Sequence, residues 1–598
     1  MERGLGLGMC RLAIQDVAHG HQPYISEDGR IIAVFNGEIY NYPQLRSILV
    51  MKGHHLRSRA DGEVLVHLYE EYGQDFLAHL SGMFAVAVWD KKSRQLLLAR
   101  DRIGQKPLYL LNTPDTLAFA SEIKAFMGVD GYYPAVDEQA LPAYLGHRYV
   151  PAPQTLLHNV TKLRPGEVVR IGRDGKWHRQ LYWDLPLQEA QDQGSLGEWA
   201  QKLEQLLRGV VHSHLAADVP IGLFLSGGVD SSLLAALAAR EYDGRLETWS
   251  GGFSSRYPQY EEFRWAKQVA SAQGLPIHTV DVGQLVSPQR VRELAYILDE
   301  PMADPTVLPL DGLVAAASRN HRVILTGEGA DEVFGGYAGY GEVESLRWLS
   351  QVPPGIRQWW VKQGWKGAGA LTRAAIPVSE RYRGVGFTFS GLEQSNLLAP
   401  DLAFPDRAGA VREYWRDAAG IAALQAMQGF DVRWFLGDDV LLKTDRIGMH
   451  HHVEVRAPYC DHQIVQLAFQ IPLDLRRGAY HDKRVLRQVA ERYLPNAIVY
   501  RRKKGFPTPL TALMAGPFYR AAYDSLTDDR FIHRGWFRPD AVQSLLSRLG
   551  RRNPTIARQI YALWMLELWM EELVEKPAIP RVKSSPCFNA RGQHPTRQ

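Results

Sequence analysis

The chain of 598 residues is 45% hydrophobic and 22% charged, and it contains three cysteines. Its length predicts several domains, since one domain usually takes about 100–200 residues. The ordinary composition excludes a mainly disordered, fibrous or membrane-embedded protein, and three scattered cysteines exclude a disulfide framework. No apolar run approaches the ~18–20 residues needed to cross a bilayer, and no signal-peptide pattern opens the sequence. We therefore expect a cytoplasmic protein that does not act at a membrane.

The net charge of +4 arises at the C-terminal end of the chain. The last 23 residues hold five basic and no acidic side chains, so residues 1–575 are close to neutral. A near-neutral body lacks the basic field that nucleic-acid-binding proteins use, and we expect no nucleic-acid partner. Residues 576–598 combine Pro, Ser and basic residues without a period, which predicts a disordered basic tail.

Short apolar runs alternate with turn signals over residues 1–185, a pattern typical of an antiparallel, strand-rich domain with few helices. Strands are predicted at 31–35, 83–89, 95–99 and 117–120, and a helix at 62–72. Asn36-Gly37 directly follows the first of these strands. Because this dipeptide is the strongest short hairpin signal, it predicts a turn on residue chemistry alone.

From about residue 195 the pattern changes to helices of 10–15 residues between short buried strands, at 222–225, 247–249 and 322–325. This alternation predicts βαβ units on a parallel sheet. A polar, Gly- and Gln-rich stretch around 184–197 marks the boundary. We predict domains at 1–185 and 195–575, followed by the tail 576–598, with a mostly helical pattern at 340–430.

One predicted strand runs into Ser226-Gly227-Gly228-Val229-Asp230-Ser231-Ser232, which opens an Ala- and Leu-rich helix. Glycines allow close backbone approach, the helix N-terminus presents unpaired N–H groups, and the serines add donors, so this loop suits an anion. It is not a Walker loop, because no Gly-Lys-Ser/Thr follows. The alternative is an ordinary strand-to-helix turn.

A second loop, Thr326-Gly327-Glu328-Gly329-Ala330-Asp331, follows another predicted strand of the same sheet. Ligands of open parallel sheets bind outside the carboxyl ends of the strands, so both loops could face one nucleotide. Asp230 and Asp331 are then candidate Mg²⁺ ligands, since Mg²⁺ takes one or two carboxylates plus phosphate oxygens. Taken alone, the second loop could also be a solvated acidic turn.

Together these loops resemble those of glutamine-hydrolysing asparagine synthetases of the bacterial type, and the first resembles the pyrophosphate loop of ATP pyrophosphatases. The resemblance runs from about residue 3 to residue 515, through motifs at 149–153, 299–301, 453–458 and 503–507. It implies an α+β, Ntn-hydrolase-type antiparallel β sandwich, the class II glutamine amidotransferase domain, at the N-terminus. An α/β ATP-pyrophosphatase domain with a parallel sheet is implied to follow it.

The activity implied by this resemblance is ATP-dependent amide formation on L-aspartate. ATP would yield β-aspartyl-AMP and pyrophosphate, and ammonia, free or from glutamine, would then displace AMP to give asparagine. The implied partners are aspartate, ATP with Mg²⁺, and glutamine or ammonia, and the family also suggests a homodimer. Two alternatives stay open: an amidotransferase acting on another carboxylate, such as a surface-sugar uronate or a peptide, and a catalytically silent regulatory homologue.

The resemblance also implies roles for individual residues of the second domain. Glu328 matches a carboxylate linked to forming and consuming the acyl-adenylate, and a general-base role toward ammonia is chemically plausible for it. Lys483 matches a lysine that stabilises phosphate charge, although a solitary lysine is usually solvated surface. The implied ATP-binding residues are Leu225, Ser226, Gly227, Gly228, Val229, Asp230, Ser231, Ser232, Gly251, Thr326, Gly327 and Tyr337.

In the first domain the resemblance implies a glutamine pocket. Asn36 and Gly37 correspond to the oxyanion-hole pair, Glu38 and Asp61 to the groups near the glutamine amino group, and Arg11 to the partner of its carboxylate. An arginine fork suits a carboxylate. These residues are the implied glutamine-binding set.

The family's nucleophile is an N-terminal cysteine whose own α-amino group activates the thiol, whereas this sequence begins Met1-Glu2-Arg3. Cys10 is internal, and a lone cysteine is more often a small buried apolar residue. We expect either a start codon assigned inside the gene, which we favour, or a truncated chain with an inactive glutaminase.

Overall fold

The computed structural model describes residues 5–188, 194–253, 257–260, 262–365, 367–402, 409–478, 481–502, 508–549 and 553–576. Four features of the sequence lie outside the described residues. They are the chain start at 1–4, part of the predicted boundary at 189–193, the motif at 503–507 and the predicted tail beyond residue 576. Within the described residues, no helix is both long and apolar enough to cross a membrane.

The described part of the first 188 residues is built on antiparallel strands, as predicted. The strands are β1 Tyr24–Ile25, β2 Ile31–Ile39, β3 Gly82–Asp90, β4 Gln95–Arg100, β5 Tyr109–Asn112, β6 Leu117–Ala120, β7 Val160–Lys162, β8 Glu167–Ile171 and β9 Trp177–Leu181. They form a six-stranded sheet in the order β1-β2-β3-β4-β8-β9 and a three-stranded sheet in the order β6-β5-β7. Three α-helices accompany them: α1 Tyr42–Met51, α2 Val64–Tyr72 and α3 Leu141–His147.

The six-stranded sheet is covered on both faces, because apolar side chains alternate along its strands. One face packs against α1 and α2 through side chains such as Phe35 and Val86. The other face meets the three-stranded sheet, where Leu98 lies in the same cluster as Leu110. This layering is the predicted sandwich.

The Asn36-Gly37 pair does not form the predicted turn. Strand β2 continues through both residues to Ile39, and Gly37 pairs with Phe84 of β3. Gly37 has a φ of +150°, and a Cβ there would lie 2.0 Å from the Met83 carbonyl oxygen. The glycine therefore serves the close approach of two strands, and the long pairing with β3 overrides the local turn signal.

The second part contains the predicted parallel sheet. Its strands are β10 Ile221–Phe224, β11 Glu247–Gly252, β12 Ile277–Asp281, β13 Val323–Leu325 and β14 Glu454–Arg456. All neighbours are parallel, and the order is β12-β11-β10-β13-β14. The chain builds outward from β10 on one side and then crosses to β13 on the other. The strand order thus reverses between β10 and β13, the position where ligands bind to open α/β sheets.

Helices account for most of the remaining described residues, including the predicted helical stretch around 340–430. They are α4 Leu196–His214, α5 Val229–Glu241, α6 Phe263–Ala272, α7 Pro288–Leu298, α8 Val307–Ala317, α9 Ala330–Phe334, α10 Ala338–Ser350, α11 Pro354–Lys362, α12 Ala368–Ala374, α13 Val378–Arg381, α14 Gly391–Leu397, α15 Gly409–Asp417, α16 Ala423–Phe430, α17 Leu441–His450, α18 His462–Gln470, α19 Leu473–Arg476, α20 Arg484–Ala490, α21 Asn496–Val499, α22 Leu510–Leu513, α23 Pro517–Leu526, α24 Asp529–His533, α25 Pro539–Ser547 and α26 Pro554–Trp569. Two π-helical segments, Asp431–Val440 and Met570–Val574, continue α16 and α26.

The two sequence regions share one hydrophobic core. Tyr109 and Tyr144 of the first region belong to the same buried cluster as Leu294 of α7 and Trp564 of α26. The Tyr144 hydroxyl also donates to the Ala562 carbonyl oxygen at 2.7 Å. Packing of this kind holds the antiparallel part against the parallel part, so residues of both can contribute to one site.

Candidate functional site

The serine- and glycine-rich loop joins β10 to helix α5 and is tied together by its own hydroxyl groups. The Ser226 and Ser231 hydroxyl oxygens lie 3.0 Å apart, and the Ser231 hydroxyl also donates to the Gly228 carbonyl at 3.3 Å. Gly227 has a φ of +72°, and a Cβ there would lie 2.6 Å from Trp265 Cβ. Ser226 is exposed at the mouth of the loop. The backbone is therefore set in place with the N-terminus of α5 open to an anion.

The second loop lies directly against the first. It leaves β13, which pairs with β10, and a Cβ on Gly327 would lie 3.1 Å from the Ser231 amide nitrogen. Gly329 has a φ of +86° and begins the short helix α9. The two loops predicted from sequence therefore meet at the reversal point of the sheet.

Lys483 lies between the acidic residues of the two loops. Its Nζ is 2.6 Å from Asp230 Oδ2 and 2.6 Å from Asp331 Oδ1, and its side chain is 2% exposed. Burial opposes its positive charge, but the two carboxylates outweigh burial and hold the pKa of Lys483 above its ordinary value. The reading of this lysine as solvated surface is therefore wrong.

The backbone around Lys483 is shaped for this contact. Lys483 has a φ of +51°, which is costly for a residue with a Cβ, just before α20 begins. A Cβ on Gly336 would lie 2.0 Å from Asp331 Oδ1 and 2.2 Å from Lys483 Cε. The glycine leaves room for the lysine to reach both carboxylates, and two converging carboxylates are donors that fit Mg²⁺.

Glu328 lies on the same loop and faces α17. The Thr444 hydroxyl lies 2.9 and 3.0 Å from its two carboxylate oxygens. Removal from water raises the pKa of Glu328 to about 7, although the Lys443 ammonium group opposes the shift. A carboxyl group with this pKa can take up or release a proton near neutral pH.

A small cavity of about 10 Å³ lies beside Glu328. Residues from both parts of the chain line it, among them Met83 and Lys106 from the first and Thr444 and Asp445 from the second. Lys106 Nζ donates to Asp445 Oδ1 at 2.7 Å. The volume is close to that of one water-sized molecule.

The acidic pair Asp438-Asp439 helps to join the two parts. Arg148 Nε donates to Asp439 Oδ2 at 2.7 Å, and its Nη2 donates to Asp304 Oδ2 at 2.9 Å. Lys443 also reaches Asp304, at 2.6 Å. Although burial alone would raise it, Arg148 and Lys443 hold the pKa of Asp304 well below its usual range. Lys443 connects this buried charge network to Thr444, its neighbour on α17.

The glutamine-pocket candidates lie on and around β2. Asn36, Gly37 and Glu38 follow one another along that strand, and the Ile39 amide donates to Asp61 Oδ2 at 2.8 Å. Burial raises the pKa of Asp61 to about 7. The structure therefore brings Glu38 and Asp61 to the same end of β2.

The other first-domain candidates have local partners. Arg11 donates from Nη2 to the carbonyl oxygens of Gln15 and Asp16, the latter at 3.2 Å. Asn36 Nδ2 donates to the Ser121 hydroxyl at 3.4 Å. Cys10 is exposed, so the reading of this cysteine as a buried apolar residue is wrong.

Two further ATP-site candidates are Gly251 and Tyr337. Gly251 lies on β11, which neighbours β10 on one side, and it pairs with Val280 of β12 on the other side. The Tyr337 hydroxyl donates to Glu332 Oε1 at 2.6 Å.

The sequence assigns Asp438-Asp439 and the segment 442–446, which includes Thr444, to the substrate end of the site, but it gives Arg456 no role. Arg456 Nη2 donates to Glu38 Oε2 at 2.9 Å, and the Thr326 amide donates to the Arg456 carbonyl at 2.9 Å. Arg456 lies in the motif at 453–458, but a motif does not state which distant residue its side chains will contact.

Comparison with known proteins identifies two regions of the chain. Residues 202–571 match the asparagine synthase family, and residues 1–183 match the glutamine amidotransferase domain. The chain is 32% identical to asparagine synthetase [glutamine-hydrolyzing] 1 of Bacillus subtilis, over 96% of this chain and 91% of that protein. It is also 32% identical to a putative asparagine synthetase [glutamine-hydrolyzing] of Mycobacterium tuberculosis, over 97% and 91%. Amidase chry2 of Gibberella zeae is 27% identical, over 92% and 88%. The chain therefore belongs to the asparagine synthase family.

Proposed function

We propose that this protein makes L-asparagine from L-aspartate, ATP and ammonia, through a β-aspartyl-AMP intermediate. The observation that carries the proposal is the placement of Lys483 between Asp230 and Asp331, where the two loops meet. In this assignment residues 1–185 form the glutamine amidotransferase domain and residues 195–575 the synthetase domain. The predicted nucleotide-binding residues, from Leu225 to Ser232 with Thr326 and Gly327, lie around the same point.

In the first step the protein forms no covalent bond to the substrates, and its main role is to stabilise the negative charge of the phosphates. A β-carboxylate oxygen of aspartate attacks the α-phosphorus of ATP, and the bond to the β-phosphate oxygen breaks to release pyrophosphate. The N–H groups at the start of α5, the Ser226 hydroxyl and the Lys483 ammonium offset the negative charge that moves onto pyrophosphate. Mg²⁺, held by Asp230 and Asp331, would neutralise phosphate charge further.

The second step needs a base. Ammonia attacks the acyl carbon of the intermediate, the bond to AMP breaks, and one proton must leave the nitrogen. Glu328 is proposed to take that proton, since a pKa of about 7 keeps part of it ionised at neutral pH. The small cavity beside Glu328 would admit a molecule the size of ammonia.

Ammonia is proposed to come from glutamine or from solution. Arg11 would hold the glutamine carboxylate, Glu38 and Asp61 its amino group, and Asn36 with the Gly37 amide the oxyanion. Glu38, proposed for the amino group, contacts Arg456 of strand β14 at 2.9 Å. The bacterial relatives, which are named as glutamine-hydrolyzing asparagine synthetases, support the use of glutamine.

Isotope transfer tests the intermediate. The full-length protein is incubated with ATP, Mg²⁺, ammonium and aspartate carrying ¹⁸O in its β-carboxylate. Attack on the α-phosphorus predicts one ¹⁸O in AMP, with asparagine and pyrophosphate formed in equal amounts. Label in inorganic phosphate, with ADP as product, would contradict the acyl-adenylate.

A second candidate acceptor is another carboxylic acid, because a fungal amidase also resembles most of the chain. The same incubation without aspartate, and with peptide or sugar carboxylates in its place, separates the two. Pyrophosphate release that requires aspartate supports asparagine formation. Release that requires a different carboxylate favours the second candidate.

A further inference from the structure

Two histidines and two glutamates converge in the antiparallel domain, away from the residues assigned above. They are Glu27, His54, His67 and Glu70, and one ligand atom from each lies within 4.8 Å of all the others. Each histidine contacts both glutamates through Nδ1. His54 Nδ1 lies 3.5 Å from Glu27 Oε2 and 3.8 Å from Glu70 Oε2. His67 Nδ1 lies 3.7 Å and 3.4 Å from the same two atoms.

Three separate elements supply these side chains. Glu27 lies in the turn between β1 and β2, and His54 follows the end of α1. His67 and Glu70 are three residues apart on α2, a spacing that puts them on one face of a helix. The cluster is therefore a product of the tertiary fold.

The His67 ring is the strongest sign that something belongs in this cluster. Its side chain is 2% exposed, yet Nδ1 has no hydrogen-bond partner. Glu70 Oε2 is likewise a buried oxygen without a hydrogen-bond partner. Buried polar atoms are nearly always satisfied, so two such atoms aimed at one point indicate a missing ligand.

The outer contacts of the cluster orient its members. His54 Nε2 lies 3.1 Å from Glu71 Oε1, and Lys52 contacts the other oxygen of Glu71. The His55 amide donates to Glu27 Oε1 at 2.6 Å, leaving Oε2 directed at the two histidines. A histidine that binds metal usually passes its second ring N–H to a carboxylate in this way.

We propose that Glu27, His54, His67 and Glu70 form a structural zinc site. Zinc takes nitrogen and carboxylate oxygen ligands at about 2.0–2.2 Å in a tetrahedron, which sets neighbouring ligand atoms about 3.3–3.6 Å apart. The four measured contacts of 3.4–3.8 Å are close to that spacing. Two carboxylates and two neutral rings also balance the charge of a divalent cation.

The site would tie α2 to the end of α1 and to the β1–β2 turn. Helix α2 begins directly after the turn Asp61–Glu63, whose first residue is a glutamine-pocket candidate. The loop between His54 and Asp61 is also anchored by Glu63, which accepts from the Ser58 amide at 2.6 Å. Zinc would therefore hold one wall of the antiparallel domain in place.

Metal content and cobalt spectroscopy test this proposal on the full-length chain. The protein is stripped with a chelator, reloaded with Zn²⁺ or Co²⁺ and passed over a chelating resin. We expect about one zinc per chain, an intense visible absorption band from four-coordinate cobalt, and a higher thermal transition with zinc. His55→Gln is the matched control, because His55 is an exposed neighbour whose side chain is outside the cluster.

His54→Gln and Glu27→Gln should abolish retained zinc and the cobalt band. The Glu27 side chain is 36% exposed, so the fold should persist in that variant at least. Glu71→Gln acts through His54 and should weaken zinc binding by about 10- to 100-fold. Circular dichroism verifies folding for each variant. The proposal fails if the wild-type chain retains no stoichiometric zinc, or if the folded His54→Gln and Glu27→Gln variants retain as much as His55→Gln.

Discussion

Arg456 Nη2 donates to Glu38 Oε2 at 2.9 Å, and this contact joins the antiparallel sheet to the parallel one. The rest of the guanidinium is also occupied, since Nη1 donates to the carbonyl oxygens of His214 and Ala216 at 2.8 Å. Arg456 is fully buried. Its backbone carbonyl oxygen also accepts a hydrogen bond from the Thr326 amide. A glutamine-pocket candidate and the loop of Glu328 are thus linked through one residue.

Arg456→Met is expected to destabilise the protein strongly. Arg456 pairs with two buried carboxylates, because Nη2 donates to Glu38 and Nε donates to Glu454 at 2.8 Å. The change removes the arginine partner of both, and breaking a buried ion pair typically costs about 3–5 kcal/mol. The double variant Glu38→Gln with Arg456→Met removes the charges of Glu38 and Arg456, leaves Glu454 unchanged, and should recover part of the loss. Urea midpoints of the three proteins measure the effect.

Arg245→Met is the control for that comparison. Arg245 also pairs with a glutamate, Glu247, but its side chain is 79% exposed. Exposed ion pairs contribute about 0–1 kcal/mol, so the midpoint should hardly move. Equal midpoints for Arg456→Met and Arg245→Met would contradict the importance of the buried contact.

Lys483→Met is expected to lower kcat for aspartate-dependent pyrophosphate release by about 100- to 1000-fold, the range for loss of one preorganised charge-stabilising group. The variant also leaves Asp230 and Asp331 facing each other without the ammonium group. Lys362→Met, on the exposed face of α11, is the matched control and should leave kcat unchanged. Stopped assays of pyrophosphate at saturating ATP make the measurement. A Lys483→Met enzyme with wild-type kcat would remove this lysine from the proposed mechanism.

Local sequence signals identified the two nucleotide loops, because each loop is contiguous and follows a short buried strand. The partners of Lys483 could not be found in this way, since Lys483 and Asp230 are 253 residues apart in the chain. Strand β14 has only three residues, and β12 is mostly polar, so neither gave an apolar run. The turn predicted at Asn36-Gly37 was wrong because a nine-residue pairing of β2 with β3 overrides a two-residue turn preference.

The pH dependence of the ammonia-supported reaction should report Glu328. Its pKa of about 7 means that the base form accumulates as pH rises through 7. At a fixed concentration of free NH₃, kcat should therefore rise about tenfold per pH unit below pH 7 and level off above it. Glu328→Gln should lower kcat and abolish this dependence.

Rising pH should lower the contribution of Glu328 to the stability of the folded protein, although it should raise kcat. The neutral form of Glu328 is favoured in the folded protein, so its contribution to stability is complete below the unfolded pKa and is lost as pH rises through about 7. Glu328→Gln should therefore gain stability relative to wild type as pH increases from 5 to 8. A constant difference in thermal transition over that range would contradict the raised pKa.

Gly37→Ala is expected to disrupt the β2–β3 pairing. A Cβ at this position would lie 2.0 Å from the Met83 carbonyl oxygen and 2.7 Å from Phe84 Cα, and both are backbone atoms that cannot turn aside. The substitution should cost more than about 1 kcal/mol of stability, because alanine is also strained at this positive φ. Gly29→Ala separates the two causes: Gly29 has a φ of +70° but open space around its Cβ. Glutamine binding, followed by calorimetry, and ammonia-dependent synthesis are then compared at a temperature where both variants stay folded. Because Gly37 lies beside Glu38 in the proposed glutamine pocket, we expect a larger loss of glutamine affinity than of ammonia-dependent rate. Equal loss of both would show that the strand supports the whole molecule.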